Sequence, residues 1–319
     1  MENDKIRIGI SSCLLGEKVR FDGQHKLDRY IVHTLGDYLE FVPVCPEVEL
    51  GLPTPRPALR LVGEPDNQRL VFSKGGEDIT ASMQAWAAKR VRELEQENLC
   101  GFIFKKGSPS SGMQRVKLYD RNGIPQGKGV GVFARTFMEH FPLLPVEEDG
   151  RLHDPQLREN FIESIFTLRR WRQTLAAKQP SLSGRVVQFH SRNKLLIMAH
   201  SPEHYRQLGK LVARAGNLSA DELTQNYQQL LLEALQRKTS LAKNVNVMQH
   251  ILGYFKRQLS GDEKQEARQL LDRYRSGQVP LIVPLTLLNH YVRKYRQDYL
   301  QQQTYLEPHP LELKLRNHV

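Results

Sequence analysis

The stretch "KIRIGISSCLLG", residues 5–16, decides the fold. Ile6, Ile8 and Ile10 make an apolar run that passes directly into small residues and a cysteine, so it reads as a β-strand entering a tight turn. The same design recurs twice. "EFVPVCPEV" (40–48) is a strand ending at Cys-Pro, and "LCGFIFKKG" (99–107) is a third buried strand. Between them, "HKLDRYIVHTLGDYL" (25–39) has helical spacing, and residues 80–97 carry a strong helical pattern opened by Thr80 as N-cap. A Pro-rich loop, "GLPTPRPALRLVG" (51–63), and a hairpin around "DNQRLVFSKGGEDI" (66–79) precede that helix. Strand, helix, strand, helix, strand predicts a parallel sheet in a Rossmann-like α/β domain. In such sheets the ligand crevice lies beyond the carboxyl ends of the strands. Cys13, Cys45 and the turn "SPSS" (108–111) each follow a strand, so three remote segments are aimed at one place.

The second half reads differently. From "DPQLRENFIESIFTLRRWRQTLAAK" (154–178) onward it is a series of amphipathic segments, at 184–199, 203–215, 221–235, 244–259, 262–276 and 285–296, with few strand signals. We expect an α/β domain over residues 1–147 and an all-helical domain over 148–319, joined near "LPVEEDGRLHDP" (144–155).

Charge divides along the same line. Residues 1–150 hold 20 Lys and Arg against 21 Asp and Glu, whereas residues 151–319 hold 26 against 14. All the excess positive charge is therefore in the helical half, which points to a polyanion such as nucleic acid, the alternative being a solvated basic surface. No run of 18 apolar residues occurs, "MENDKIRIGI" has no signal-peptide character, and no basic helix shows a clean membrane-binding face. The expectation is a soluble cytoplasmic protein without a membrane partner.

Three cysteines in 319 residues do not make a disulfide framework. Two of them at strand ends suit a thiol or metal role, although two thiolates alone fall short of the three or four ligands that zinc or an iron–sulfur cluster takes.

"SSCLLGEKVRFDG", "VPVCPEVELGLPTPRP", "GEDIT" and "FKKGSPSSG" resemble, in order, the signature blocks of the thiouracil desulfidase family. The second half, with "FHSRNKLLIMAHSP", "VNVMQHILGYFK", "PLIVPLTLLNHYV" and "YLEPHPLELKLRNHV", resembles the helical domain of unknown function fused to it in bacterial tRNA 4-thiouridine desulfidases. The resemblance implies a 4Fe–4S cluster held by three cysteines, with an open iron that takes sulfur from a thiolated pyrimidine. Two of those positions match Cys13 and Cys45. The third falls in the turn of serines, where this chain has Ser111. A Ser alkoxide is a hard, high-pKa donor and iron of this kind favours soft thiolate, so Ser111 is expected to weaken or remove the cluster. Cys100 is a poor substitute, since it is expected to begin the strand whose far end carries Ser111.

The resemblance also assigns roles. Glu47, two residues after Cys45, is the candidate general base for water, and Ser108 the candidate to orient that water or stabilise an oxyanion. Ser110, Arg56 and Lys105 are candidate substrate contacts, with Arg20 and Asp22 organising the first loop. His190, Arg192, Lys194, His200, Lys256, Arg257, Arg293 and Lys294 are the candidate tRNA-binding residues of the helical half.

Overall fold

The computed structural model describes residues 5–120, 122–313 and 315–317. The chain divides into two compact units, Met1–Asp154 and Pro155–Val319.

The first unit contains β1 (Ile6–Ser11), β2 (Leu39–Val44), α1 (Pro46–Glu49), β3 (Leu59–Glu64), β4 (Asn67–Phe72), α2 (Thr80–Glu95), β5 (Phe102–Phe104), β6 (Val116–Tyr119), β7 (Pro125–Gly129), α3 (Val132–His140) and β8 (Val146–Glu148). One sheet has the order β2-β1-β5-β8, and all its pairs are parallel. β1, an inner strand of that sheet, is buried almost throughout, with Ile6, Ile8 and Ile10 alternating with Arg7 and the small residue Gly9. Gly9 is required there, because a Cβ would stand 2.2 Å from the Phe102 ring of β5. Behind that sheet Phe102 and Phe104 pack on Phe133 and Phe137 of α3, the Phe102 and Phe137 ring centres lying 4.7 Å apart.

A second sheet, β4-β3-β6-β7, is mixed and was not expected. β3 occupies the end of the stretch read as a Pro-rich loop: the prolines stop at Pro57, and "LRLVGE" pairs antiparallel with β4 from Leu59↔Phe72 to Glu64↔Asn67. The β3–β4 turn lies at Pro65 and Asp66, and within the stretch read as a hairpin the chain also folds back through an antiparallel bridge, Val71↔Asp78. The helix expected over 25–39 is reduced to a π-turn, Tyr30–Thr34, and a 3₁₀ turn, Leu35–Asp37. Only Ile31 and Leu35 of those turns are buried, too small an apolar stripe to sustain a longer helix. Thr80 is the first residue of α2, not its cap; Asp78 Oδ1 accepts from Thr80 N at 2.8 Å, while Thr80 Oγ1 accepts from Leu70 N of β4.

A break after residue 147 would cut β8, which pairs with β5 through Glu148 and so binds this segment to the first unit.

The second unit is helical: α4 (Pro155–Ala176), α5 (Leu182–His200), α6 (Pro202–Ala213), α7 (Ala220–Leu235), α8 (Leu241–Gly253), α9 (Gly261–Arg275), α10 (Ile282–Lys294) and the short α11 (Asp298–Gln301). Ser181, Ser201, Ser219, Ser240 and Ser260 cap five of these helices, each side chain accepting a backbone N–H of the first turn. A buried polar knot ties the last residues to α4: Arg316 donates to Glu159, to Glu163 at 2.8 Å and to the Tyr305 carbonyl, and His200 Nε2 lies 3.2 Å from Glu163.

Candidate active site

Three loops at the carboxyl ends of β1, β2 and β5 line a cavity of about 270 Å³, close to the ~300 Å³ lower end of small-molecule sites. The first turns through a 3₁₀ segment, Ser12–Leu15, that carries Cys13. In the second, Cys45 stands at the N-cap of α1 with Pro46 in the first helical position, where a missing N–H costs nothing. The third contributes Lys105, Ser108 and Ser111.

Glu47 lies at the junction of all three loops. Its Oε1 accepts from Ser110 Oγ at 2.7 Å, and its Oε2 lies 3.7 Å from Cys45 Sγ and 3.9 Å from Arg56 Nη2. Arg56 is in turn held by the carbonyls of Val19 and Pro53 and by the Thr54 hydroxyl, so its charge is fixed beside the carboxylate. Ser108 Oγ accepts from Ser111 N at 3.1 Å and lies 3.0 Å from Ser110 Oγ, which makes the serines one hydrogen-bonded turn.

Glycines allow that turn to dock against the start of α3. Gly131 N donates to Gly112 O, Ala134 N donates to Ser110 O, and a Cβ on Gly131 would approach Ser110 C and O to 2.5 Å. Lys105 is anchored as well: its Nζ is 2.6 Å from Asp149 Oδ2, and its N–H donates to Ser11 Oγ.

Burial pushes the Cys13 thiol up to about 11, opposed by the nearby charges of Lys105 and Arg20. Cys45 is pushed up to about 12, by burial first and by Glu47 second. Both thiols are therefore protonated at neutral pH in the protein alone.

The structure brings Cys13, Cys45, Ser111, Glu47, Ser108, Arg56 and Lys105 to one cavity. Ser110, expected as a substrate contact, is fully buried and does not line it; its hydroxyl donates to Glu47. Arg20 pairs with Asp22 at 3.4 Å and also forms part of the wall, with Phe21. Cys100 is buried before β5, its N–H bonded to Arg7 O, and it is absent from the wall. Asp149 and Ser11, which hold Lys105, went unread in the sequence because neither belongs to a local motif.

The donor set does not fit the cluster that the resemblance implies. Two thiols and the Ser111 hydroxyl reach the cavity where three thiolates are needed, and the hydroxyl is the harder, less acidic donor.

In the helical unit, His190 and His200, expected among the tRNA contacts, are both buried. His190 is buried against Tyr227 OH at 3.1 Å, and burial, with help from Lys194, drops its pKa to about 4. His200 is wholly buried between Glu163 and the Arg237 carbonyl. Arg192, Lys256, Arg257 and Arg293 are exposed; Lys194 lies over the Tyr299 ring, and Lys294 is paired with Glu263 at 2.7 Å. No helix among the described residues is long and apolar enough to cross a membrane.

Comparison with known proteins matches residues 8–149 to the 2-thiouracil desulfurase family and residues 194–310 to a family of unknown function, DUF1722. The uncharacterized protein YbgA of Escherichia coli K12 is 34% identical over 135 residues, 42% of this chain and 80% of YbgA. The uncharacterized protein YbbK of Bacillus subtilis 168 is 32% identical over 133 residues, 39% of this chain and 85% of YbbK. A solved structure described as a 4Fe-4S-dependent thiouracil desulfidase, TudS, is 29% identical and covers 47% of this chain and 95% of its own, with a TM-score of 0.38.

Proposed function

With residues 8–149 the chain belongs to the 2-thiouracil desulfurase family, and from that premise we propose that its first unit removes sulfur from a thiolated pyrimidine by hydrolysis of the C–S bond. The observation that carries this reading is Glu47, a carboxylate fixed by Ser110 and Arg56 at 3.7 Å from a thiol inside a cavity built from three strand ends.

Water and a thiocarbonyl give a carbonyl and hydrogen sulfide, so no electrons are exchanged. Glu47 takes a proton from water and hydroxide adds to the ring carbon that bears sulfur; Glu47 returns that proton to sulfur, and as the C–S bond breaks the added hydroxyl gives up its own proton, so that a carbonyl is left and sulfur departs with both protons as hydrogen sulfide. Ser108 orients the water or donates to the negative charge that develops on sulfur, while Lys105 and Arg56 offset that charge. Because the donors fall one thiolate short, no step is assigned to a cluster; Cys13 and Cys45 stand ready as weak S–H donors to the thiocarbonyl sulfur.

The finer reading of the substrate is 4-thiouridine in tRNA, converted to uridine. Its support is the 26 Lys and Arg against 14 Asp and Glu of residues 151–319. Free thiouracil is the second reading, favoured by a cavity whose whole lining comes from the first unit.

Mass spectrometry of nucleosides from bulk tRNA, alongside chromatography of thiouracil, tests both substrates with this chain and with Ser111→Cys after anaerobic iron–sulfur reconstitution. The variant is expected to show the broad absorbance of a cysteine-ligated cluster near ~400 nm and to desulfurise rapidly, this chain slowly and without the band. Equal rates and equal absorbance would remove position 111 from the ligand set.

A further inference from the structure

The last strand of the first sheet, β8, runs out into three consecutive carboxylates, Glu147, Glu148 and Asp149. Glu147 and Glu148 are 6% and 2% exposed, and burying a carboxylate is costly unless it finds partners. Each acid finds a different one. Glu147 pairs with Arg151, four residues on. Glu148 Oε1 accepts from Met113 N at 3.0 Å and from Gln114 N at 3.4 Å, the residues that follow the serine turn and its Gly112. Asp149 Oδ2 lies 2.6 Å from Lys105 Nζ, and its Oδ1 accepts from Lys106 N at 2.6 Å.

Sheet register fixes these placements. β8 pairs parallel with β5, Ile103 facing Glu147 and Phe104 facing Glu148, and Asp149 N donates to Phe104 O at 3.0 Å. β5 leads directly into Lys105 and the serine turn, so the acids of β8 stand beside the root of that loop. Asp149 holds the loop at its start and Glu148 holds it at its exit, while α3 holds its middle, where Ala134 N donates to Ser110 O. Neither acid lines the cavity, and each acts on it only through the loop. Apolar residues of similar volume often serve stability as well as buried ion pairs do, so stability alone does not account for three acids in a row.

We propose that Glu148 and Asp149 are positioning residues for the desulfidase reaction: Asp149 aims the Lys105 ammonium into the cavity, and Glu148 sets the exit of the serine turn, so that Ser108, Ser111 and the bond from Ser110 to Glu47 keep their places. This rests on the desulfidase reading and adds two residues to it. A lysine on its flexible four-carbon stem spreads its charge over many positions unless it is anchored. Misplacement by about 1 Å can cost on the order of 10²-fold in rate, so the anchor matters most in the step where charge develops on sulfur.

A double-mutant cycle on thiouracil turnover in the Ser111→Cys background, joined to amide hydrogen exchange and amine labelling of the full chain, tests this. Asp149→Asn keeps an acceptor for Lys106 N and removes the charge that holds Lys105. It should lower kcat by about tenfold to 10²-fold with KM little changed, speed the labelling of Lys105, and add no further loss once Lys105→Met is in place. Glu148→Ala should speed exchange at Met113 and Gln114 and lower turnover. Glu148→Gln retains the one oxygen that accepts both N–H groups, so it should keep that exchange slow and recover most of the turnover that Glu148→Ala loses. Full additivity of Asp149→Asn with Lys105→Met, or unchanged exchange at Met113 and Gln114 in Glu148→Ala, would overturn the positioning roles and leave the desulfidase reading standing. If Glu148→Ala does not fold, the Asp149 cycle decides, read on variants with native circular dichroism. Absence of thiouracil turnover from every form would bring down both readings.

Discussion

Glu47 uses its two oxygens differently: one accepts the Ser110 proton, and the other faces Cys45 and Arg56. Glu47→Gln preserves the shape and removes the base, so turnover of thiouracil in the Ser111→Cys background should fall by about 10²–10⁴-fold. Unchanged turnover with intact cluster absorbance would reduce Glu47 to a partner of Ser110. The thiols make a second test. Both fold with pKa values above the ordinary 9.0, so each contributes stability that is fully present below pH 9 and lost as pH rises through about 11 and 12. Denaturant unfolding of the metal-free protein from pH 8 to about 11 should therefore fall more steeply for the natural chain than for Cys13→Ala/Cys45→Ala, and parallel slopes would mean that burial does not protect the thiols. Glu47 was legible because it follows Cys45 within one turn. Asp149 was not, since only the pairing of β5 with β8 carries it to Lys105, 44 positions away.

α3 fixes the serine turn through its first residues, and Gly131 is the point of closest approach. Gly131→Ala pushes a methyl into the Ser110 carbonyl, and overpacking of this kind costs about 1–3 kcal/mol. The expected result is a lower denaturation midpoint together with lost desulfidase activity, because displacing Ser110 releases Glu47. A destabilised variant with full activity would separate the turn from the carboxylate. Elements with strong local signals were readable: β1 by its apolar run, the helices of the second unit by period and serine caps. β3 was hidden behind prolines, and the helix over 25–39 looked longer than its buried stripe, because apolar spacing shows what can be buried and not what the neighbours leave room to bury.

At the scale of the molecule, a nearly neutral unit and a strongly basic one predict division of labour. If the helices grip tRNA phosphates, log K should fall with log salt by roughly 0.7–0.9 per phosphate neutralised. Reversing Lys256, Arg257, Arg293 and Lys294 together should flatten that slope and abolish action on tRNA while sparing free thiouracil. A salt-independent affinity, or equal loss on both substrates in a folded variant, would favour the free base. His190 and His200 play no part in this prediction, since both are buried inside their own unit.

The sequence by itself determined the two-part architecture and the convergence of Cys13, Cys45 and the serine turn, because strand-end position is a local property; that Ser111 stands where a third cysteine is expected came from the family resemblance and not from the residues' spacing. Tertiary structure alone decided the second sheet, the anchoring of Lys105 by Asp149 and the withdrawal of Ser110 behind the wall. Each of these depends on strands or loops far apart in the chain meeting in one register. Which polar group ends beside which is settled by packing around the phenylalanine core and the two sheets, where every buried donor must find its acceptor.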